Sequence, residues 1–336
     1  MSYIYPLFVI ILISTVYTTF LAFNLIPQIN AVNSEDTGNY FYTPSEEELY
    51  GVLVSFHLMF FMLMSCFVLA STSSPGYIPR ETSEDRKRWV DGDFEISDRD
   101  DNQVKEIIQN TDANLTDKNV ISWLKSIVIL ERKKQYGYYR HCSACNLYKP
   151  DRTHHCRICD RCILRMDHHC PWISNCVGHR NYKFFLLLLF YAIASLCFIL
   201  GGMARRLVYA FRPIMNTTTF LLEDLIVLVV YLICMFLFIA LCMFFTFHMN
   251  LTLNNMTTIE LREKKNNSDR FIRHRFLVAH AKFDNGYWNN FTEVFGPPWM
   301  WLLPIFPGGK GTYLGTAADH KGTISSHVDV KSRLVE

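Results

Sequence analysis

Four long apolar segments dominate the pattern of hydrophobic and polar positions along the chain. They cover residues 5–25, 51–71, 184–204 and 225–248, and none of them contains Asp, Glu, Lys or Arg. About 20 apolar residues at a rise of 1.5 Å cross the ~30 Å hydrocarbon core of a bilayer, where a helix satisfies its own backbone hydrogen bonds. The pattern therefore predicts an all-α polytopic membrane protein with four transmembrane helices, rather than a soluble protein with buried core helices.

The distribution of Lys and Arg predicts how these helices are oriented. No basic residue precedes Arg80, whereas residues 72–183 contain 19 and the tail after residue 248 contains 11. Basic segments resist translocation across the membrane. We therefore expect the 72–183 segment and both termini in the cytosol. Arg205 and Arg206, which follow the third apolar segment, run against this rule.

Composition divides the chain into five parts and excludes some functions. The net charge of +2 excludes a strongly basic nucleic-acid binder, so no nucleic-acid partner is expected. A polar connector precedes a segment rich in Cys, His and aromatic residues that is too poor in aliphatic residues to fold without metal. The predicted parts are 1–71 (helices 1 and 2 with a lumenal loop at 26–50), 72–135 (a cytosolic connector with a short amphipathic helix at 121–130), 136–181 (the cysteine-rich domain), 182–248 (helices 3 and 4) and 249–336 (a cytosolic tail).

The cysteine-rich segment contains an internal repeat of 14 residues, which relates Cys142 to Cys156 and His155 to His169. Two copies of a Cys-x2-Cys…His…Cys set result, and three thiolates with one imidazole suit a closed, structural zinc site. These sets are Cys142, Cys145, His155 and Cys162, and then Cys156, Cys159, His169 and Cys176. A simpler pairing would place both Cys-x2-Cys pairs on one zinc. The repeat favours the interleaved sets, whereas a single ordinary finger would leave several ligands unused.

One cysteine of the repeat has no partner of its own. Cys170 continues the series of Cys142 and Cys156, but the position three residues later is Ile173. We therefore expect a free thiol, and Asp167 and His168 stand just before it. A thiol beside a titratable imidazole and a carboxylate is typical of an activated nucleophile, although a spare structural thiol is the alternative.

These residues resemble the DHHC cysteine-rich-domain protein S-acyltransferases, or palmitoyltransferases. The resemblance begins with Asp167-His168-His169-Cys170 and continues through Pro171-Trp172, Asn175-Cys176, Gly178 and Asn181. Upstream it includes Lys149-Pro150-Asp151-Arg152 and His154-His155-Cys156. Downstream, Thr257-Thr258-Ile259-Glu260 resembles the TTxE motif of the family, and residues 290–296 resemble its C-terminal motif.

The resemblance implies an acyl transfer from palmitoyl-CoA to cysteine thiols of cytosolic or membrane proteins through a thioester on Cys170. His168 would then act as the base and Asp167 would orient it, while His169 would ligate one of two structural zinc ions. We expect these steps in a membrane of the secretory pathway: the Golgi, the endoplasmic reticulum or the plasma membrane.

A long acyl chain also needs an apolar cavity among the helices, beside Cys170. Trp172, Tyr191 and Ser195 are the predicted lining residues, and Ser195 lies about 18 Å along the third helix, near the far end of a C16 chain. Lys149 and Arg152 are the predicted contacts to the phosphates of CoA, although they could equally contact lipid headgroups.

Two other classes of function compete with this interpretation. A membrane-anchored zinc module that binds partners would need the eight ligands but not a reactive Cys170. A transporter is not favoured, since the spans contain no Asp, Glu, Lys or Arg and His57 is the imidazole well inside a span.

Overall fold

The fold was analysed in a computed structural model that describes residues 4–34, 45–78, 140–145, 147–149, 152–211, 222–266 and 283–306. Four of its helices are long and apolar enough to cross a membrane. The predicted helical membrane architecture is therefore confirmed, together with the position of the cysteine-rich region between the second and third spans. The predicted amphipathic helix at 121–130 lies outside the described residues.

The membrane helices extend beyond the apolar segments that predicted them. Ser45 starts the second helix with a capping box, in which its hydroxyl accepts from Glu48 N–H and the Glu48 carboxylate accepts from Ser45 N–H. The first span contains a π-helical turn. The helical bounds are Ile4–Phe20, Leu21–Leu25 (π) and Ile26–Ser34 for span 1, Glu46–Thr72 for span 2, Tyr182–Phe211 for span 3 and Leu222–Leu253 for span 4.

Span 3 is the central helix of the bundle. It packs against both span 2 and span 4, and 56% of its most apolar stretch is buried inside the protein. The corresponding share is 22% in span 2 and 11% in span 4, so these helices leave most of their apolar surface for lipid.

Between the membrane helices, the described residues of the cysteine-rich region form three short antiparallel hairpins. Strands this short present few apolar side chains, and their geometry depends on the side chains that cross-link them. The strands are β1 (His141–Cys142), β2 (Leu147–Tyr148), β3 (His154–Cys156), β4 (Arg161–Ile163), β5 (His168–Cys170) and β6 (Asn175–Val177), paired in sequence order.

Two asparagines attach this module to the end of span 2. Asn175 Nδ2 donates to the carbonyls of Ala70 and Ser73, at 3.1 and 2.9 Å. Asn181 Nδ2 donates to the carbonyls of Ala70 and Cys176, and its Oδ1 accepts from Gly178 N–H. Gly178 itself lies where a Cβ atom would be 2.7 Å from the Ile163 side chain. These bonds hold the β5–β6 hairpin directly against the membrane helices.

Among the described residues, two short α-helices follow span 4, at Thr258–Asn266 and Tyr287–Phe295. Asn290 connects the second of them to the end of span 4, because its Nδ2 donates to the Leu253 carbonyl at 2.7 Å. Lys183, which is buried at the start of span 3, donates from Nζ to the carbonyl of the last residue of this helix, Phe295, and to two carbonyls that follow it. The C-terminal segment is therefore fixed to the same end of the bundle as the cysteine-rich module.

Candidate active site and metal centres

Both predicted metal-ligand sets come together in the structure. The ligand atoms within each group lie within 4.8 Å of one another. The first group is Cys142, Cys145, His155 and Cys162, and the second is Cys156, Cys159, His169 and Cys176. The hairpins explain the interleaving: β3 and β4 pair His155 with Cys162, and β5 and β6 pair His169 with Cys176. The alternative pairing of the four Cys-x2-Cys thiols on one metal does not match this geometry.

The separations between donor atoms fit zinc. With zinc–sulfur and zinc–nitrogen bonds of about 2.3 and 2.0 Å, tetrahedral ligands stand about 3.8 Å (S···S) and about 3.5 Å (S···N) apart. Cys159 Sγ lies 3.5 Å from Cys176 Sγ and 3.4 Å from His169 Nδ1. In the first group, Cys145 Sγ lies 3.2 Å from His155 Nδ1. The donor type and spacing of both groups therefore suit structural zinc bound through Nδ1 of each histidine.

Cys170 belongs to neither group. It is buried at the end of β5, in a cluster of buried apolar residues that includes Leu63 of span 2 and Phe185 of span 3. Its strand partner is Asn175, the residue that is bound to the end of span 2. This thiol therefore lies at the junction between the zinc-type module and the membrane helices.

An Asp–His pair stands directly beside this thiol. His168 Nδ1–H donates to Asp167 Oδ2 at 2.7 Å, which leaves Nε2 as the acceptor. Asp167 is buried and His168 is partly exposed. Burial lowers the pKa of His168, but hydrogen bonds to Asp167 and Cys170 and their negative charges outweigh burial and raise this pKa to about 9. The raised pKa of His168 therefore favours a proton on its imidazole and a thiolate on the Cys170 sulfur that it contacts.

The TTxE-like motif holds Asp167 in place. Thr258 N–H donates to Asp167 Oδ1 at 2.9 Å, and the Thr258 hydroxyl donates to the Asp167 carbonyl. Sequence analysis identified this motif without a role for it. The separation of 91 residues between the partners explains why, since no local pattern connects them.

The structure corrects the prediction for Arg152. Its guanidinium is buried and donates to both carboxylate oxygens of Glu260, at 2.7 and 2.9 Å. It also donates to the side chain and the carbonyl of Asn255. Glu260 and Asn255 thus take four of its five N–H groups in a buried site, so Arg152 connects the module to the helix Thr258–Asn266 instead of facing CoA. Lys149 is partly exposed, and its predicted contact with CoA stays a prediction.

The predicted lining residues lie at different depths along the bundle. Trp172 is 51% exposed, and its ring contacts Tyr5 and Phe8 near the start of span 1. Tyr191 is buried and donates its hydroxyl to the Leu302 carbonyl. Ser195 is buried too, and its hydroxyl has no hydrogen-bond partner among the described residues. Because Ser195 is buried, it does not face lipid, while contact of these residues with an acyl chain stays a prediction.

Sequence reasoning missed one imidazole near this site. His248, close to the end of span 4, is 1% exposed and lies against His168, with 5.8 Å between the two ring centroids. The apolar pattern placed it at the edge of a span, although an ionisable residue in a membrane helix is itself a signal of a functional site.

Fold and site together define a class of protein: a four-span membrane protein whose paired Cys/His metal sites hold a non-ligating thiol beside an Asp–His pair. A protein-family model described as DHHC palmitoyltransferase matches residues 135–265. The chain is 34% identical to human palmitoyltransferase ZDHHC20 over 255 residues, which cover 76% of this chain and 63% of the human protein. It is 40% identical to palmitoyltransferase PFA3 of Candida albicans over 184 residues, which cover 50% of this chain and 47% of that protein.

Residues 135–265 of the chain therefore form a domain of the DHHC palmitoyltransferase family. The chain spans less than two thirds of the length of its human and bovine relatives, since bovine palmitoyltransferase ZDHHC20, at 34% identity, is likewise covered over 63% of its length.

Proposed function

We propose that this protein is a protein S-acyltransferase that transfers a long-chain acyl group from acyl-CoA to cysteine thiols of other proteins. The observation that carries the proposal is the position of Cys170. It is the one thiol between residues 142 and 176 outside both metal groups, and it lies in contact with His168, which Asp167 orients. Structural thiols in the same module lack such an arrangement, whereas a nucleophile requires it.

In the first step, His168 Nε2 takes the proton of Cys170, and the resulting thiolate attacks the carbonyl carbon of the acyl-CoA thioester. A new bond joins Cys170 Sγ to the acyl group as the bond between that carbon and the CoA sulfur breaks. The proton on His168 passes to the CoA thiolate, so the imidazole returns to its neutral form. Asp167 stabilises the transient imidazolium and fixes its tautomer.

In the second step, a cysteine thiol of the acceptor protein replaces CoA. His168 takes its proton, and the acceptor sulfur attacks the acyl-enzyme carbonyl. The acyl group leaves Cys170, whose thiolate recovers the proton from His168. Two successive transfers through one covalent intermediate predict ping-pong kinetics.

The surroundings of Cys170 suit a lipid donor. Burying an acyl chain gains about 0.8 kcal/mol for each CH₂ removed from water. The thiol lies within a cluster of buried apolar residues from spans 2 and 3, so an acyl chain attached to it could continue along the helices towards Ser195. We therefore propose palmitoyl-CoA as a donor and acceptor proteins whose cysteines lie close to the membrane.

The metal ions have a structural role in this proposal. The two groups of four ligands would hold zinc with every coordination position filled, so zinc would supply folding energy to the module. The residues that perform the transfer would be Cys170, His168 and Asp167. We further propose that the module faces the cytosol, in a membrane of the secretory pathway, since acyl-CoA is a cytosolic donor and the basic segments favour that side.

Incubation of the purified, zinc-loaded protein with radiolabelled palmitoyl-CoA tests this function. We expect label on the protein that neutral hydroxylamine releases, because hydroxylamine cleaves thioesters. The label should then move to an added peptide that carries a cysteine beside a lipid anchor. Label that survives hydroxylamine, or no label at all, would contradict the proposal and favour a membrane-anchored zinc module that only binds partners.

A further inference from the structure

The end of span 4 brings a buried imidazole to the candidate active site. Ligand atoms of Asp167, His168 and His248 all lie within 4.8 Å of one another. His248 belongs to neither metal group, and the two-step transfer described above does not use it. Keeping an imidazole buried at the end of a membrane helix is costly, which makes a role at the site the first hypothesis to consider.

Three such groups could hold a metal ion, but their contacts favour a proton-sharing arrangement. His168 Nδ1 lies 2.7 Å from Asp167 Oδ2, whereas oxygen and nitrogen ligands of one tetrahedral zinc stand about 3.3 Å apart. Asp167 Oδ1 accepts from Thr258 N–H. Both carboxylate oxygens therefore already have hydrogen-bond donors.

Neighbouring side chains fix the plane of the His248 ring. Its Nδ1 lies 3.3 Å from the hydroxyl oxygen of Tyr182. Phe185 meets the ring edge-on, with 5.1 Å between centroids and 77° between planes, and it meets the His168 ring at 5.3 Å and 72°. Phe244 contacts the His248 ring from the preceding helical turn, at 4.6 Å. Both imidazoles are thus packed around one phenylalanine, and only His248 is fully enclosed.

We propose that His248 is a positioning residue for proton transfer between Cys170 and His168. Its imidazole, oriented by Tyr182, closes the membrane side of the Asp167–His168 pair and holds the His168 ring so that Nε2 faces Cys170. The inference rests on the proposed function and deepens it. Displacement of a reacting group by about 1 Å can cost about 100-fold in rate, so the loss of this support should reduce the chemical step far more than the binding of acyl-CoA.

Single-turnover formation of the acyl-enzyme, measured over a range of palmitoyl-CoA concentrations, separates these two effects. His248→Phe keeps the ring volume but removes both nitrogens, and we expect its maximal rate to fall about tenfold or more, with the half-saturating concentration within about twofold of wild type. His248→Gln keeps a polar group near Tyr182 and should recover most of the lost rate. Met243→Leu, at an exposed position on the same helix, is the matched control.

A wild-type maximal rate in His248→Phe would overturn the inference, and so would a His248→Gln variant as slow as His248→Phe. Each variant should retain two zinc ions per chain, which shows that the module is folded. If His248→Phe loses zinc, Tyr182→Phe decides the question, because it removes one hydroxyl: an approximately threefold slower maximal rate supports the inference and an unchanged rate refutes it. Absence of an acyl-enzyme in the wild type would instead refute the proposed function and, with it, this inference.

Discussion

The β3–β4 and β5–β6 hairpins are two copies of one sequence unit that differ in chemistry. Their strands pair in equivalent registers. His155 pairs with Cys162 in the first hairpin, and His169 pairs with Cys176 in the second. Each pair supplies two ligands to a different metal group. The repeat therefore builds the same scaffold twice, and the differences must come from the positions around the ligands.

The first difference concerns the residue before the two histidines. Thr153 precedes His154, whereas Asp167 precedes His168. Burial and the nearby charge of Arg140 lower the pKa of His154 to about 4. Burial acts in the same direction on His168, but Asp167 and Cys170 raise its pKa to about 9. Asp167 and Cys170 beside one histidine, and Arg140 near the other, thus distinguish a proton-accepting imidazole from a neutral one.

The second difference concerns the cysteine that ends the first strand of each hairpin. Cys156 and Cys170 are equivalent by register, yet Cys156 ligates together with Cys159, while Ile173 occupies the corresponding position after Cys170. Only the second hairpin is bonded to span 2 through Asn175. Under the proposed function, the second copy therefore supplies the nucleophile, because its cysteine has no second thiol three residues later and its hairpin lies against the membrane helices.

The largest effect is expected from a substitution that removes a ligand of one metal group, because both hairpins depend on these ligands for their fold. Cys159→Ala removes one ligand of the second metal group, and metal-binding energy is folding energy in so small a module. We expect loss of zinc, a lower melting temperature and no acylation, whereas Cys197→Ala, at an exposed cysteine of span 3, should match wild type. A Cys159→Ala protein that loses zinc but melts like wild type would argue against a structural role for the metal.

Asp167→Thr gives the second hairpin the residue that the first hairpin has at the equivalent position, Thr153. It should slow acyl-enzyme formation by about 10²–10⁴-fold, because His168 loses the group that orients it, with two zinc ions retained. The rate is read from the label that hydroxylamine releases. Thr153→Ser, at the equivalent position of the first hairpin, should keep a rate near wild type. Near-normal acylation in Asp167→Thr would remove Asp167 from the mechanism.

Thr258→Val tests whether the contact that holds Asp167 in the second hairpin affects the rate of acylation. The variant loses the hydroxyl donor to the Asp167 carbonyl and keeps the N–H donor to the carboxylate. A net hydrogen-bond contribution of about 1 kcal/mol predicts a rate about 3- to 10-fold slower. Thr246→Val removes a hydroxyl that bonds within span 4 and serves as the control. If both variants acylate at the same rate, the contact between Thr258 and Asp167 has no catalytic consequence.

The smallest effect on rate is expected at Ser195, which lies in the middle of span 3, away from the end that meets the second hairpin. An extended C16 chain is roughly 20 Å long, and Ser195 lies about 18 Å along the helix. C16 donors should be accepted and C18 donors tolerated, while Ser195→Tyr should shift the preference to shorter chains with little loss for the best donor. Competition between acyl-CoA donors measures the profile, and an unchanged profile would place Ser195 outside the cavity.

The four spans could be predicted because lipid demands long apolar helices, and the metal sets because a repeat of 14 residues orders their ligands. The role of Arg152 was predicted wrongly because no local sequence pattern connects it with its partner. A basic residue in a loop suggests a surface contact, but its partner, Glu260, lies 108 residues away. Only the folded chain shows that the two charges are buried together.

Residues at the junction of the module and the bundle were the hardest to predict. Lys183 satisfies its ammonium group with backbone carbonyls, which carry no sequence signal. His248 lies opposite His168 because two distant segments converge, and the hydrophobic pattern of span 4 conceals it. Such positions depend on tertiary packing and not on spacing.

The central claim is that Cys156 and Cys170, equivalent by repeat and register, perform different tasks. The direct test measures zinc per chain and acylation together in Cys156→Ser and Cys170→Ser. The account predicts that Cys170→Ser retains about two zinc ions, as the two filled ligand sets require, but forms no thioester, whereas Cys156→Ser loses zinc. Loss of one zinc ion in Cys170→Ser, or a thioester formed without Cys170, would contradict it.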